Sequence, residues 1–335
     1  MLKQVSIAVS FFLAANASAL SIDLGPATGY NIFVKENFQQ PGADSHGKIA
    51  VGGNADIGQF DVAVNHDPSY YHSGPQLWTD PNVYDDVLVV GGNLKTTGWG
   101  NIKGNAIVGG QVVSGSNPNS AKGTITYGNP IDFEAAFDYF DDLSATLAGL
   151  DNTGSINFLY NNWIQLDGTS DADLYVANIT GQVLKNATDL TAPGLTQTDT
   201  LVINVSGKDI HFDSLNYGIR EHFAALDLSP SNILFNFYEA EKLTFDYGGF
   251  RGNILAPNAD FTFYSGDLSG QVIVKSWTAG WGAQANLWDG FFDPYGSDEP
   301  TPPTVEVAES SGWALSLIGI FGLIMLRRRN LQAKA

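Results

Sequence analysis

The chain is 335 residues long, carries 35 acidic against 16 basic side chains for a net charge of −19, and contains no cysteine. A surface this acidic repels nucleic acid and anionic lipid, and without cysteine neither disulfides nor thiolate metal sites can support the fold. Setting aside Lys3, Arg327, Arg328, Arg329 and Lys334 leaves 11 basic residues against 35 acidic, a balance of −24 that suits divalent cations or basic partners outside a cell.

In chain order, Lys3, the apolar run Val5 to Ala15 and the small-x-small pattern Ala17-Ser18-Ala19 read as a signal peptide over 1–19. An ectodomain is expected over 20–296, since no polar linker interrupts it. Thr28 to Phe38 alternates like a strand that caps a stack. Short apolar runs then stop at Gly-Gly pairs: G-K-I-A-V-G-G-N from Gly47, V-L-V-V-G-G-N from Val87 and G-N-A-I-V-G-G-Q from Gly104. Gly91 and Gly109 lie 18 residues apart, as do Gly252 and Gly270, which open G-N-I-L-A-P-N and G-Q-V-I-V-K-S. Runs this short, rich in β-branched residues and bounded by glycine, favour strands over helices. A strand-turn unit recurring at this interval indicates a solenoid whose rungs bury their faces against one another. Alignment on the Gly-Gly pairs puts Ile49, Leu88 and Ala106 in one inward column and Val51, Val90 and Val108 in another. Ala50, Val89 and Ile107 then point outward.

Gly58 to Tyr84, with His66, Asp67, His72 and Trp78, reads as a surface-loop insertion between rungs. Ile131 to Leu150 reads as the one long helix, capped by Asp132, with Phe133, Phe137, Phe140, Leu143 and Leu147 on the stripe that lies along the solenoid wall. Strand signals resume from Ser155 to Ser206, Leu215 to Leu228 suggests a short helix, and further rungs follow. Trp277, Trp281, Trp288, Phe291 and Phe292 read as a bulky end cap, with a carbohydrate-stacking platform as the alternative. Residues 297–311 form an acidic, proline-bearing linker and sorting motif. In 312–335, the apolar run Trp313 to Leu326 spans about 21 Å as a helix, short of a ~30 Å hydrocarbon core, and three arginines close it. The fold expected is mainly β: a right-handed parallel β-helix with one long α-helix packed along it.

The series Y-N-I-F-V, G-K-I-A-V-G-G-N-A, V-L-V-V-G-G-N-L and G-N-A-I-V-G-G, followed by V-I-N-V-S-G, I-L-F-N-F-Y-E-A and G-N-I-L-A-P-N-A-D, resembles the choice-of-anchor A family of bacterial surface proteins. The likeness covers about Gly25 to Phe292 and implies an extracellular, adhesin-like domain with no catalytic residues. The tail is similar to a PEP-CTERM sorting signal, with Ala308-Glu309-Ser310 where Pro-Glu-Pro normally stands. It implies an exosortase-type processing enzyme, transient contact with the inner membrane, and a final place on the surface or in the matrix of a Gram-negative bacterium.

Candidate sites are sparse. Gly42 to Ile49 (G-A-D-S-H-G-K-I) misses the phosphate-binding pattern because Ile49 replaces the magnesium-binding hydroxyl and a strand follows. The five histidines show no metal-ligand spacing. Asp167, Asp171 and Asp173 are candidate calcium ligands, although their spacing misses the calcium-loop pattern. Trp78, Trp277 and Trp281 are candidate ligand contacts, with exopolysaccharide or another matrix component as the partner. No cofactor is expected. A polysaccharide lyase or hydrolase would need acids converging with Arg220 or Arg251. Ice binding would need hydroxyls ranked in register, where the sequence offers scattered Thr96, Thr97, Thr124 and Thr126.

Overall fold

The computed structural model describes residues 22–69, 74–113, 121–167, 174–196, 199–213 and 228–294. The chain enters the stack at its middle. Strands β1 (Tyr30–Val34) and β2 (Phe38–Asp44) form one rung, β3 (Lys48–Val51) and β4 (Ala55–Asp61) the next, and β5 (Asp86–Val90) and β6 (Leu94–Thr96) a third. Then β7 (Asn105–Val108) and β8 (Ile125–Tyr127) carry the stack to one end, from which helix α1 (Phe133–Ala148) runs back along it. A small sheet of β9 (Ser155–Phe158), β10 (Trp163–Asp167) and β12 (Asp189–Thr191) sits at the other end, with β11 (Leu174–Thr180) and helix α2 (Gly181–Asn186) between its strands in sequence. The rungs then build back toward the middle through β13 (Thr200–Ser206), β14 (Asp209–Phe212), β15 (Ile233–Asn236), β16 (Lys242–Arg251), β17 (Asn253–Ser269) and β18 (Val272–Asn286).

The main sheet is a parallel solenoid. Its first face runs β11-β13-β15-β17-β18-β1-β3-β5-β7-β8, and its second runs β14-β16-β17-β18-β2-β4-β6. On the third face, Tyr247 to Arg251 pairs with Ser265 to Ser269, which pairs with Gly282 to Asn286. The long strands β17 and β18 bend around all three faces, with register shifts at the corners. Because β18 pairs with β1, Thr28 to Phe38 does not cap the stack but lies at its centre. Trp277 likewise belongs to a central rung. The end cap is instead the small sheet, whose Ile164, Leu166 and Leu190 join the main core.

The Gly-Gly alignment gives the observed register: Ile49 pairs with Leu88 and Leu88 with Ala106, Val51 with Val90 and Val90 with Val108. These six residues are buried inside the solenoid. The outward residues Ala50, Val89 and Ile107 pack with Phe33 beneath α1, against Phe133, Phe137, Phe140 and Leu147. Asp132 caps the helix, its Oδ1 accepting from the Ala135 N–H at 3.1 Å. Sixteen residues give a helix of ~24 Å, about five rungs at ~4.8 Å each.

Two ladders fix the rungs. Gly52, Gly91 and Gly109 stack so closely that a Cβ on Gly91 would lie 2.4 Å from the Gly52 carbonyl oxygen, and one on Gly109 2.3 Å from that of Gly91. An asparagine ladder, buried at Asn236 and Asn204 and reaching the surface at Asn178, ties the sheet to the helix: Asn236 Nδ2 donates to Asn204 Oδ1 at 2.9 Å, and Asn204 Nδ2 to Asn178 Oδ1 at 2.8 Å. The same amides reach the Ser144, Leu147 and Leu150 carbonyls at 2.8, 2.7 and 2.9 Å, satisfying acceptors around the last turn of α1 and just beyond it.

Candidate functional site

On the second face the alternation of β16, β17 and β18 is set by large inward residues. Leu243 and Phe245, Phe261 and Phe263, then Trp277 turn into the core, so Thr244, Thr262 and Thr278 must point out. The three threonines pair in register on adjacent strands, about 4.8 Å apart. The file continues in both directions: His211 pairs with Thr244, Gln39 with Thr278, Asp56 with Gln39 and Lys95 with Asp56. Lys95 Nζ donates to Asp56 Oδ2 at 2.7 Å. The result is a sheet face carrying hydroxyl, amide and charged groups at a constant repeat, on strands held by a solid core beneath them. Such a face can bond to regularly spaced donors and acceptors without rearranging.

This rank was legible in part. K-L-T-F-D-Y and D-F-T-F-Y-S place Thr244 and Thr262 18 residues apart, the interval of the glycine repeat. Thr278 follows after 16, because β17 and β18 shift register, and alignment on glycine pairs misses it. The scattered threonines do not make a rank: Thr96 faces inward and is buried, and Thr126 pairs with Ile107 on the first face.

At the corner between the second and third faces lies a groove of about 200 Å³ bordered by Trp281, Gln39, Asp56, Gln59 and Thr97, with Pro41 and Gly58 beneath. Trp281 is 65% exposed. The other tryptophan candidates part company with it. Trp277 is 1% exposed, its ring stacked on Phe38 at 5.8 Å and beside Phe261 at 5.0 Å, and its Nε1–H donates to Gln40 Oε1 at 2.8 Å. A ring packed on both sides offers no platform to a ligand, so Trp277 is corrected to a core residue. Trp78 lies half-buried in the loop before β5, outside the groove.

The insertion also differs from its expected form. Gly58 to Asp61 belongs to β4, and His66 and Asp67 are buried rather than exposed. His66 Nδ1 lies 3.0 Å from Asp85 Oδ2; burial holds the imidazole below its usual pKa, against the upward pull of that carboxylate. Burial also pushes Asp67 up, but hydrogen bonds from Lys122 and Ser69 outweigh it and hold the carboxyl below its usual range. Asp67 is thus engaged by an ammonium, and His72 lies outside the described residues. Of the calcium candidates, Asp167 accepts from the Asn157 and Gln165 amides, while Asp171 and Asp173 lie outside the described residues. So do residues 215–227 of the expected short helix.

Among the described residues, one group of side chains has metal-ligand proximity: His211, Asp213 and Asp246. Register brings Asp246 to the adjacent strand, where His211 Nε2 lies 3.0 Å away, and Asp213 already pairs with Lys185 at 3.1 Å. All three sit at the edge of the threonine file. Arg251 does not converge with a catalytic acid pair; it bonds to Asp289 at 3.1 Å. Among the described residues no helix is long and apolar enough to cross a membrane, and 312–335 lie outside them.

Fold and surface together define a parallel β-helix that displays rigid, regularly spaced polar faces. A family model described as "Putative Ice-binding-like adhesive domain" matches residues 23–286, and the chain belongs to that family. No curated protein matches. Among solved structures, an ice-binding protein from an Antarctic biological consortium aligns at 12% identity and a TM-score of 0.38, covering 84% of this chain and 96% of that one. An ice-binding protein from the Antarctic ascomycete Antarctomyces psychrotrophicus aligns at 11% identity and 0.32, covering 80% and 98%. A glycosylated ice-binding protein from an Arctic yeast gives 15% and 0.32, covering 80% and 94%.

Proposed function

We propose that the protein is a non-catalytic adhesive module, exported and sorted to the cell surface or extracellular matrix, whose second face docks an extended partner. The observation that carries the reading is the file His211, Thr244, Thr262, Thr278, Gln39, Asp56 and Lys95, seven outward positions in register on seven paired strands. Membership of an adhesive family supports it, as do the signal-peptide pattern, the sorting-signal tail and the likeness to choice-of-anchor A proteins. A stack this constrained loses little further freedom on binding. Its acidity favours basic partners or bridging divalent cations, so attachment by direct ion pairs weakens with salt. Deleting the gene should reduce attachment or matrix retention while leaving growth on every carbon source unchanged. A deletion strain that adheres normally yet cannot use one polysaccharide would replace this reading with an enzymatic one.

One observation favours ice as a second reading: the three hydroxyls of Thr244, Thr262 and Thr278 repeat at strand spacing on an even surface. The other four positions of the file are charged, amide or imidazole groups, which suit a hydrated polymer better. Ice-crystal shaping by the protein, lost in Thr262→Tyr, would establish the ice reading. Unshaped crystals with attachment lost in the same variant would establish the polymer.

A further inference from the structure

The groove beside Trp281 has a construction that the flat face lacks. Gly42 of β2 lies directly under the indole: a Cβ there would stand 2.7 Å from Trp281 Cε3 and 3.0 Å from the Trp281 carbonyl oxygen. The missing side chain lets the ring lie against the strand, with its edge fixed by backbone and 65% of the residue open to solvent. The floor is made the same way. A Cβ on Gly58 would fall 2.2 Å from the Pro41 carbonyl oxygen, and one on Gly98 would fall 2.5 Å from Gln59 Cγ, so the floor carries no bulk. Around the rim, Gln39 and Gln59 supply amide donors and acceptors, Thr97 a hydroxyl and Asp56 a carboxylate.

An aromatic plane beside a shallow trough edged with amides matches one ligand geometry. A pyranose ring has a face of C–H groups that lies on an aromatic plane, and a girdle of hydroxyls that reach outward to donors and acceptors. The corner continues beyond the groove. Exposed Tyr264 and Tyr247 stand at the same corner of the two preceding rungs, and Trp99, 85% exposed, follows Gly98 three strands beyond Trp281, about 14 Å along the stack. Aromatic residues spaced along one edge, with glycine floor between, suit a chain of sugars better than a single one. Net acidity of the ectodomain disfavours a uronate polymer.

We infer that this corner is a glycan subsite for a neutral hexopyranose polymer, with Trp281 as its stacking platform; the inference rests on the adhesive reading and names its partner. The test uses the full-length protein in affinity electrophoresis through soluble neutral glucans and mannans. Wild type should be retarded by at least one of them. Trp281→Ala should weaken that binding about tenfold, the scale of losing one aromatic contact. Gly42→Ala, which lifts the ring without removing it, should weaken it several-fold, and Tyr160→Ala, an exposed ring in the turn between β9 and β10 outside both the groove and the threonine file, should leave it unchanged. Urea midpoints equal to wild type show that the variants are folded. Binding unchanged in folded Trp281→Ala, or no retardation by any neutral glycan, overturns the subsite. Those outcomes leave the adhesive reading intact if the deletion strain still loses attachment, so the two failures are distinguishable.

Discussion

Replacing Asn236 by leucine tests whether the asparagine ladder is what clamps α1 to the sheet. Asn236 is fully buried and makes three bonds: its Nδ2 donates to the Ser144 carbonyl at 2.8 Å and to Asn204 Oδ1 at 2.9 Å, and its Oδ1 accepts from Ser144 Oγ at 2.6 Å. Leucine has nearly the same volume, so the cavity contribution is small and the polar loss dominates. The change strands Ser144 Oγ and Asn204 Oδ1 in the interior, each at about 1–3 kcal/mol. A destabilisation of about 2–5 kcal/mol follows, a large share of the ~5–15 kcal/mol that holds a typical domain. Urea unfolding followed by both far-ultraviolet circular dichroism and tryptophan fluorescence measures it. Ser144→Ala in the same background should recover about 1–2 kcal/mol, because it removes one stranded hydroxyl. A loss below ~1 kcal/mol, or no coupling between the two positions, would refute the clamp and leave apolar packing as what holds the helix.

Two more outcomes follow from particular residues. Gly91→Ala forces a Cβ to within 2.4 Å of the Gly52 carbonyl oxygen, which cannot move without opening the ladder, so a loss of about 3 kcal/mol is expected; Gly149→Ala, at φ −79 with its nearest contact at 3.4 Å, should instead gain about 0.5 kcal/mol, and urea midpoints of the pair decide. His66 is held below its unfolded pKa by burial, so below pH ~6.5 the unfolded chain binds a proton that the folded chain refuses, and stability falls with pH from there toward the folded value. The stability difference between wild type and His66→Gln should therefore shrink between pH 7.5 and 5.5; a difference that grows over that window would contradict the assignment.

The rungs were legible because their chemistry is local. Glycine pairs mark where strands pack too closely for any Cβ, and alternation places Ile49 and Val51 on one side and Ala50 on the other. The helix was legible because Asp132 and the phenylalanine stripe lie within one segment. The order of the rungs was not, since every rung offers equivalent edges and nothing in β1 states that its second neighbour is β18, some 240 residues away. Trp277 and Trp281 show a further limit. Strict alternation puts 277, 279 and 281 on one face. At the corner, however, Phe263 pairs with Ala279 and Ser265 with Gly282, so β18 carries one residue more than β17 and the parity flips. That single extra residue separates a core tryptophan from an exposed one. The threonine file was hidden for a related reason, because an earlier register shift, between Ala256 and Asp260, shortens its last interval from 18 to 16 residues.

The junction of β18 with β1 also governs how the molecule comes into being. Ile32 faces Val272 across it, and Gln271 ties both ends of the domain together, donating to the Ala27 and Tyr30 carbonyls and accepting from the Phe292 N–H. Neither partner exists for the other until nearly the whole ectodomain has left the ribosome. Until then the two half-stacks each present a bare strand edge, and assembly cannot run as a simple zipper from the first rung. Seen as a circuit, the chain is a spiral cut at α1 and soldered at its own two ends. One half of the rod is laid down from the middle outward and the other from the far end inward, so its midpoint is the final joint.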